Sequence, residues 1–244
     1  MLGLALDLMR RGGGAAGPAP PFGASEPGAW YDPSDLASMF QNDAASVAAA
    51  VDAPVGYLGD LSGNGNHAVQ ADAARRPVLR LENGFHFLEF DGEDDAIGAP
   101  FALAQPWERV SAVRQIGWIS QRRIFGDFTT ANGQLYQITG SPTLRVQSGL
   151  TTGPTSAAAA IGADHVISER HNGAASALAV DAGAFAVADA GSGAANGIMI
   201  GNRAALDRAG SLRCYGLMVR GGTMSAGQLA EAQAWMAEQA GVVL

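Results

Sequence analysis

The chain has 244 residues, of which 48% are hydrophobic and 16% are charged, and its net charge is −8. This composition excludes a disordered polar chain, and the acidic balance argues against a nucleic-acid partner, because phosphate binding requires clustered Lys and Arg. The single cysteine, Cys214, excludes an intrachain disulfide, and its apolar neighbours predict a small buried residue.

The first eleven residues predict a short helix that needs a partner surface, because so short a helix is marginal alone. Its apolar side chains are Leu2, Leu4, Leu6, Leu8 and Met9. Asp7 interrupts this run, and Arg10 and Arg11 follow it instead of preceding it, so the segment does not resemble a signal peptide. It is also too short to cross a bilayer. We therefore expect synthesis in a bacterial cytoplasm, without a signal peptide and without membrane insertion.

Residues 12–29 contain flexible glycines followed by stiff prolines, a composition typical of a linker. We therefore predict an N-terminal arm and linker over residues 1–29 and a compact domain over residues 30–244. From residue 54 onward, short apolar or alternating runs separated by turn residues predict an all-β sandwich. The run 212–219 predicts a final, largely buried strand.

One helix is predicted after that strand. Ser225 is the expected N-cap, and Gln228 completes a capping box three residues later. Leu229, Ala232, Met236 and Ala240 recur on one face, and Gly241 supplies the stop.

Three motifs occur in order along the domain. Residues 60–68 read DLSGNGNHA, residues 88–95 read LEFDGEDD, and the runs 197–201 and 214–219 read GIMIG and CYGLMV. Together they resemble the LamG-like group of concanavalin A-type jelly rolls. The resemblance implies an all-β, concanavalin A-like jelly-roll β-sandwich over residues 30–244, with a short C-terminal helix and an extended N-terminal arm.

The run 29–40, AWYDPSDLASMF, restricts the resemblance to one subset of the LamG-like group. It is similar to the form found in tail-fibre and head-spike proteins of bacteriophages and gene transfer agents. That resemblance implies a non-enzymatic structural or adhesion protein of a phage-like particle, homo-oligomeric in the virion. Its partners would be other virion structural proteins, contacted through the apolar residues of the arm, and host surface polysaccharide.

Two alternative functions remain open, a glycan-cleaving enzyme and a free carbohydrate-binding module. Glu89, Asp91 and Glu93 match the E-x-D-x-E spacing of retaining glycanases, which on one continuous strand would put three carboxylates on one face. Gly92 and the acidic run after it instead indicate a strand end. We therefore predict no catalytic residue. Trp107, which follows Gln105 and Pro106 in an expected loop, is the candidate for glycan stacking.

No cofactor is predicted, and calcium is the one alternative. Asp60, Ser62 and Asn64 are spaced like the first positions of a calcium loop, although Ala71 at the twelfth position excludes an EF-hand. A second set of oxygen ligands is offered by Asp91, Glu93, Asp94 and Asp95. The competing interpretation is that these side chains cap their own turns. The sequence contains no nucleophile elbow, and its four histidines lack metal-ligand spacing.

Overall fold

The computed structural model describes residues 26–129, 132–138 and 142–244. Within these ranges the chain forms two antiparallel sheets and one α-helix, which confirms the predicted all-β sandwich with a short C-terminal helix. The strands are β1 Gly28–Tyr31, β2 Met39–Phe40, β3 Tyr57–Leu58, β4 Ala68–Val69, β5 Val78–Glu82, β6 Phe85–Asp91, β7 Ile97–Ala99, β8 Trp107–Gln115, β9 Arg123–Gly126, β10 Gln134–Gln137, β11 Thr143–Gln147, β12 Thr155–Ala158, β13 Asp164–His171, β14 Ala177–Val180, β15 Ala186–Val187, β16 Ile198–Ile200 and β17 Ser211–Gly221, and the helix is α1 Ala226–Ala240.

The strands divide between two layers. Sheet A has the order β15-β14-β13-β8-β17-β6-β5, with β1 also paired to β17. Sheet B has the order β12-β11-β10-β9-β16-β7-β4-β3-β2. The first strand begins at Gly28, inside the range predicted to be linker.

The interior of the sandwich is formed by alternate residues of both sheets, as expected for strands that each face a core on one side. Sheet A contributes Leu88, Val113 and Ile167, and sheet B contributes Phe125 and Leu135. All five side chains are buried. The two sheets are therefore joined by one continuous apolar layer.

The outer face of sheet A packs against α1. Trp30 and Trp235 meet edge to face with ring centroids 5.1 Å apart, and Met236 is fully buried beside them. The helix starts at the predicted capping box, in which Ser225 Oγ accepts from Gln228 N, and it ends at Gly241 with φ +67°. Both predicted helix signals are confirmed.

The central strand β17 carries a bulge near Tyr215 that changes which residues face the interior. Its register with β8 shifts between Cys214 and Gly216, so Cys214 and Leu217 point into the sandwich while Met218 points toward α1. A Cβ at Gly216 would lie 3.1 Å from atoms of Trp235 and Met236, so this glycine permits the close approach of the helix. The predicted burial of Cys214 is confirmed.

Candidate functional site

An open pocket of about 420 Å³ lies at one end of the sandwich, where loops from both sheets meet. It is lined by residues 148–150 after β11, residues 173–174 before β14, and Asp189, Gly191, Ser192 and Gly193 between β15 and β16. Its volume falls in the range of small-molecule sites.

Gln105 connects two of the three loops that line this pocket. Its Nε2 donates to the carbonyl oxygens of Gly191 and Gly193, each at 3.0 Å, and its Oε1 accepts from Gly173 N at 2.7 Å. Backbone bonds add to this: Ser148 N and Leu150 N both donate to Ala190 O, at 2.7 and 3.0 Å. The pocket walls are thus positioned before any ligand arrives.

A buried ion pair lies behind the pocket, inside the sandwich. Arg109 on β8 donates through Nε to Glu169 Oε1 at 2.7 Å and through its terminal nitrogen to Oε2 at 2.5 Å. Neither side chain is exposed to solvent. Burial opposes ionisation of Glu169, but Arg109 and His171 outweigh that effect and hold the pKa of the carboxyl below its ordinary value.

His171 links this ion pair to the pocket. Its Nε2 lies 3.4 Å from Glu169 Oε2, and its Nδ1 lies 2.6 Å from Ser148 Oγ, on the pocket wall. Because an ionised carboxylate only accepts, the proton belongs on Nε2, and Nδ1 accepts from the Ser148 hydroxyl. Burial lowers the pKa of His171 to about 4, against the raising effect of Glu169, so the ring is neutral at pH 7.

Serine, histidine and carboxylate follow one another here in the order of a nucleophilic triad. Ser148, His171 and Glu169 are each fully buried, however, so no substrate can reach the hydroxyl. The arrangement therefore acts as a polar connection between the sheets, and it supports the pocket wall. Sequence reasoning missed it, although the alternation of Ile167, Glu169 and His171 places these two polar residues on the core face of β13.

Trp107 does not occupy the exposed loop that the sequence suggested. It is the first residue of β8, is 1% exposed, and stacks on His171 with ring centroids 3.6 Å apart. The prediction of an exposed stacking face is therefore wrong, because the residue after Pro106 already belongs to the strand. Trp118, by comparison, packs partly buried against the core.

The glycanase-like spacing does not form a shared carboxylate face. Strand β6 ends at Asp91, and Gly92 has φ +83°, so Glu93 lies in the following turn. Glu89 is engaged by Arg80 at 3.2 Å and Arg213 at 3.4 Å on sheet A. These contacts match the strand-end interpretation.

Three of the candidate calcium ligands do come together. Carboxylate oxygens of Asp91, Asp94 and Asp95 lie within 4.8 Å of one another, without Glu93. Burial, followed by the charges of the neighbouring acids, raises the pKa of Asp95 to about 7, while Asp91 N donates to its carboxylate at 3.0 Å. Oxygen ligands of this kind suit calcium, which stays the alternative to the prediction of no cofactor.

The other candidate calcium loop is occupied by its own hydrogen bonds. The Asp60 carboxylate accepts from the backbone amides of Trp30, Ser62 and Asn66, each at 2.9 Å. His67 Nδ1 accepts from Asp60 N at 3.0 Å. This segment therefore caps its own turn.

Comparisons with known proteins show which fold this is. No protein-family model matches the chain, and a search of curated proteins found no match. Trypanosoma rangeli sialidase in complex with sialic acid is 13% identical, with a TM-score of 0.54, covering 92% of this chain and 34% of the sialidase. A GH54 α-L-arabinofuranosidase soaked with a cyclic sulfate inhibitor is 10% identical, with a TM-score of 0.56, covering 77% of this chain and 51% of the enzyme.

A further solved structure is an arabinofuranosidase complexed with arabinofuranosyl-α-1,2-xylobiose. It is 12% identical, with a TM-score of 0.51, covering 78% of this chain and 52% of the enzyme. The chain therefore spans about a third to a half of the proteins it resembles. At this identity the likeness establishes the β-sandwich, and it is consistent with a concanavalin-like jelly roll.

These neighbours correct one prediction. The chain was expected to be non-enzymatic, whereas each of the three is a glycan-cleaving enzyme. They give no support to a phage-particle role.

Particle attachment, the homo-oligomer and virion localisation stay predictions, and Leu2, Leu4, Leu6, Leu8 and Met9 lie outside the described residues. The described residues include no helix long and apolar enough to span a membrane.

Proposed function

We propose that the chain binds glycans in the pocket at residues 148–150, 173–174 and 189–193, as a domain of a glycan-cleaving enzyme. The observation that carries this is the pocket itself. Its walls come from three loops held in place by Gln105 and by backbone bonds to Ala190. A ligand entering such a site does not have to order the loops, and this lowers the cost of binding.

The pocket surface suits a sugar. Glycine backbone, the Ser192 hydroxyl and the Asp189 carboxylate offer polar groups, and Leu150, 46% exposed, offers an apolar one. A sugar ring likewise has hydroxyl edges and an apolar C–H face. The fold is shared with enzymes that act on sialosides and arabinofuranosides, which supports carbohydrate as the ligand class.

Glycoside hydrolysis by the usual route needs two carboxyl groups flanking the bond. Among the described residues lining the pocket, Asp189 is the one carboxylate. We therefore assign sugar binding, and not hydrolysis, to this pocket. Cleavage of glycosidic bonds needs a separate activity measurement.

The experiment is a glycan array probed with the full chain and with two variants. Ala174 and Ala175 are neighbouring exposed residues of one short turn, but only Ala174 lines the pocket. Ala174→Trp should fill the pocket and remove binding, whereas Ala175→Trp should keep it. Sugar release from neutral arabinofuranosides tests cleavage, with the acidic sialosides as the comparison. Binding that survives Ala174→Trp would place the site elsewhere, and no binding by the wild type would refute the proposal.

A further inference from the structure

The part of the chain that the structure describes places a single formal charge on the pocket surface, and that charge is negative. Among the described lining residues, Asp189 is the only ionisable one, and it is exposed. Its Oδ1 accepts from Gly191 N at 2.8 Å, which fixes the carboxylate at the rim. The remaining lining side chains are hydroxyl, methyl and isobutyl groups or glycine hydrogens.

Two arginines on strands next to the pocket, Arg109 on β8 and Arg145 on β11, do not line it. Arg109 is fully buried, and its charge is compensated by Glu169. Arg145 donates to Thr151 O at 3.0 Å and to Thr155 Oγ1 at 3.2 Å, and it does not line the pocket. A carboxylate on a bound sugar would therefore meet Asp189 without a compensating cation.

Resting on the proposed function, we propose that this pocket selects neutral sugars and rejects those that carry a carboxylate. Two like charges held a few ångströms apart repel, and the repulsion grows where water is displaced. The overall charge of −8 adds a long-range field of the same sign. Neutral hydroxyls, by contrast, can donate to the Asp189 carboxylate.

The test compares sugars that differ only at C6, which carries a hydroxymethyl group in one and a carboxylate in the other. Galactobiose and digalacturonate share ring and linkage, and their affinities are measured by calorimetry at low salt for the wild type and for Asp189→Asn. The asparagine keeps an oxygen for the Gly191 amide, so the rim retains its shape. The control is Asp72→Asn, because Asp72 also accepts from the amide two residues later, Ala74 N at 3.0 Å. Asp72 follows β4, which is five strands away from β11 in sheet B, and it does not line the pocket.

The neutral sugar should bind at least about tenfold more tightly than the acidic one. Asp189→Asn should narrow this ratio severalfold by improving binding of the acidic sugar, and Asp72→Asn should leave the ratio unchanged. Equal or tighter binding of the acidic sugar to the wild type would overturn the inference while leaving glycan binding intact. Failure of the neutral sugar, and of a neutral array, to bind would overturn the proposed function together with it.

Discussion

Ser148 Oγ lies 2.6 Å from His171 Nδ1, although Ser148 follows β11 of sheet B and His171 ends β13 of sheet A. This hydrogen bond crosses the sandwich interior directly behind the pocket. Through His171 it extends to Glu169 and Arg109, also on sheet A. Polar contacts therefore join the two sheets at the end of the sandwich where the pocket opens. A substitution that breaks them should change both the free energy of unfolding and the shape of the pocket.

The buried ion pair should be costly to break. Glu169→Gln leaves the Arg109 guanidinium buried without its counter-charge, so we expect a loss of about 3–5 kcal/mol in the free energy of unfolding. Glu89→Gln is the control, since Glu89 also pairs with arginines but at the surface, and it should cost about 1 kcal/mol or less. Urea unfolding measures both. Similar losses in the two variants would contradict the importance of burial.

His171 should make the fold sensitive to acid. Its pKa is about 4 when folded and about 6.5 when unfolded, so the unfolded chain binds the additional proton between these values. The contribution of the neutral ring is complete above pH 6.5 and is lost as the pH falls toward 4, by about 3 kcal/mol.

Urea unfolding at a series of pH values, compared with His171→Phe, isolates this effect. The phenylalanine keeps a flat ring against Trp107 but cannot titrate. The variant should be less stable than the wild type at pH 7, and the gap should shrink as the pH falls. A constant gap across the series would rule out titration of His171.

Asp95 should act in the opposite direction. Its folded pKa of about 7 lies above the unfolded value, so its contribution is complete below about pH 3.8 and is lost as the pH rises through 7. Asp95→Asn keeps the acceptor for Asp91 N and cannot ionise, so with a chelator present it should be more stable than the wild type at pH 8. The control Asp94→Asn, at a more exposed position, should gain less.

The same pair of proteins tests the alternative that a calcium ion is bound. Calcium requires the charged form of Asp95, so adding it at pH 8 should raise the melting temperature of the wild type more than that of Asp95→Asn. An identical response in both proteins, or none in either, would count against calcium at Asp91, Asp94 and Asp95.

The capping box should contribute measurably to the helix. Ser225→Ala removes the acceptor for Gln228 N, and a loss of about 1 kcal/mol is expected. Ser225→Asp retains an acceptor and adds a negative charge at the helix N-terminus, so it should be neutral or slightly stabilising. Thermal unfolding followed by circular dichroism compares the two. Equal destabilisation by both would indicate that the cap has little role.

Short runs of sequence predicted the secondary-structure elements whose defining residues are adjacent in the chain. The helix boundaries at Ser225 and Gly241, and the buried final strand, were all present in short runs of sequence. Strands β2, β3 and β4, of two residues each, are too short for alternation to be visible. Their conformation depends on pairing with distant partners.

The site could not be derived in this way, because it depends on non-local contacts. Gln105 bonds to residues 173, 191 and 193, and Arg109 bonds to Glu169, all far away in sequence. Only the sequence of β13 indicated part of the site, because the polar residues Glu169 and His171 alternate with Ile167 and so share its core face. A buried strand with such positions predicts an internal polar contact, but it does not identify the partner.

Strand β17 has implications for how the chain reaches its folded state. Its partners β1, β6 and β8 all precede it, and they leave the ribosome first. Until β17 emerges, each presents an unpaired apolar edge that is prone to association with other chains. The strand pairing of sheet A is therefore completed only late in synthesis. A chain interrupted before Ser211 should depend on chaperones to avoid aggregation.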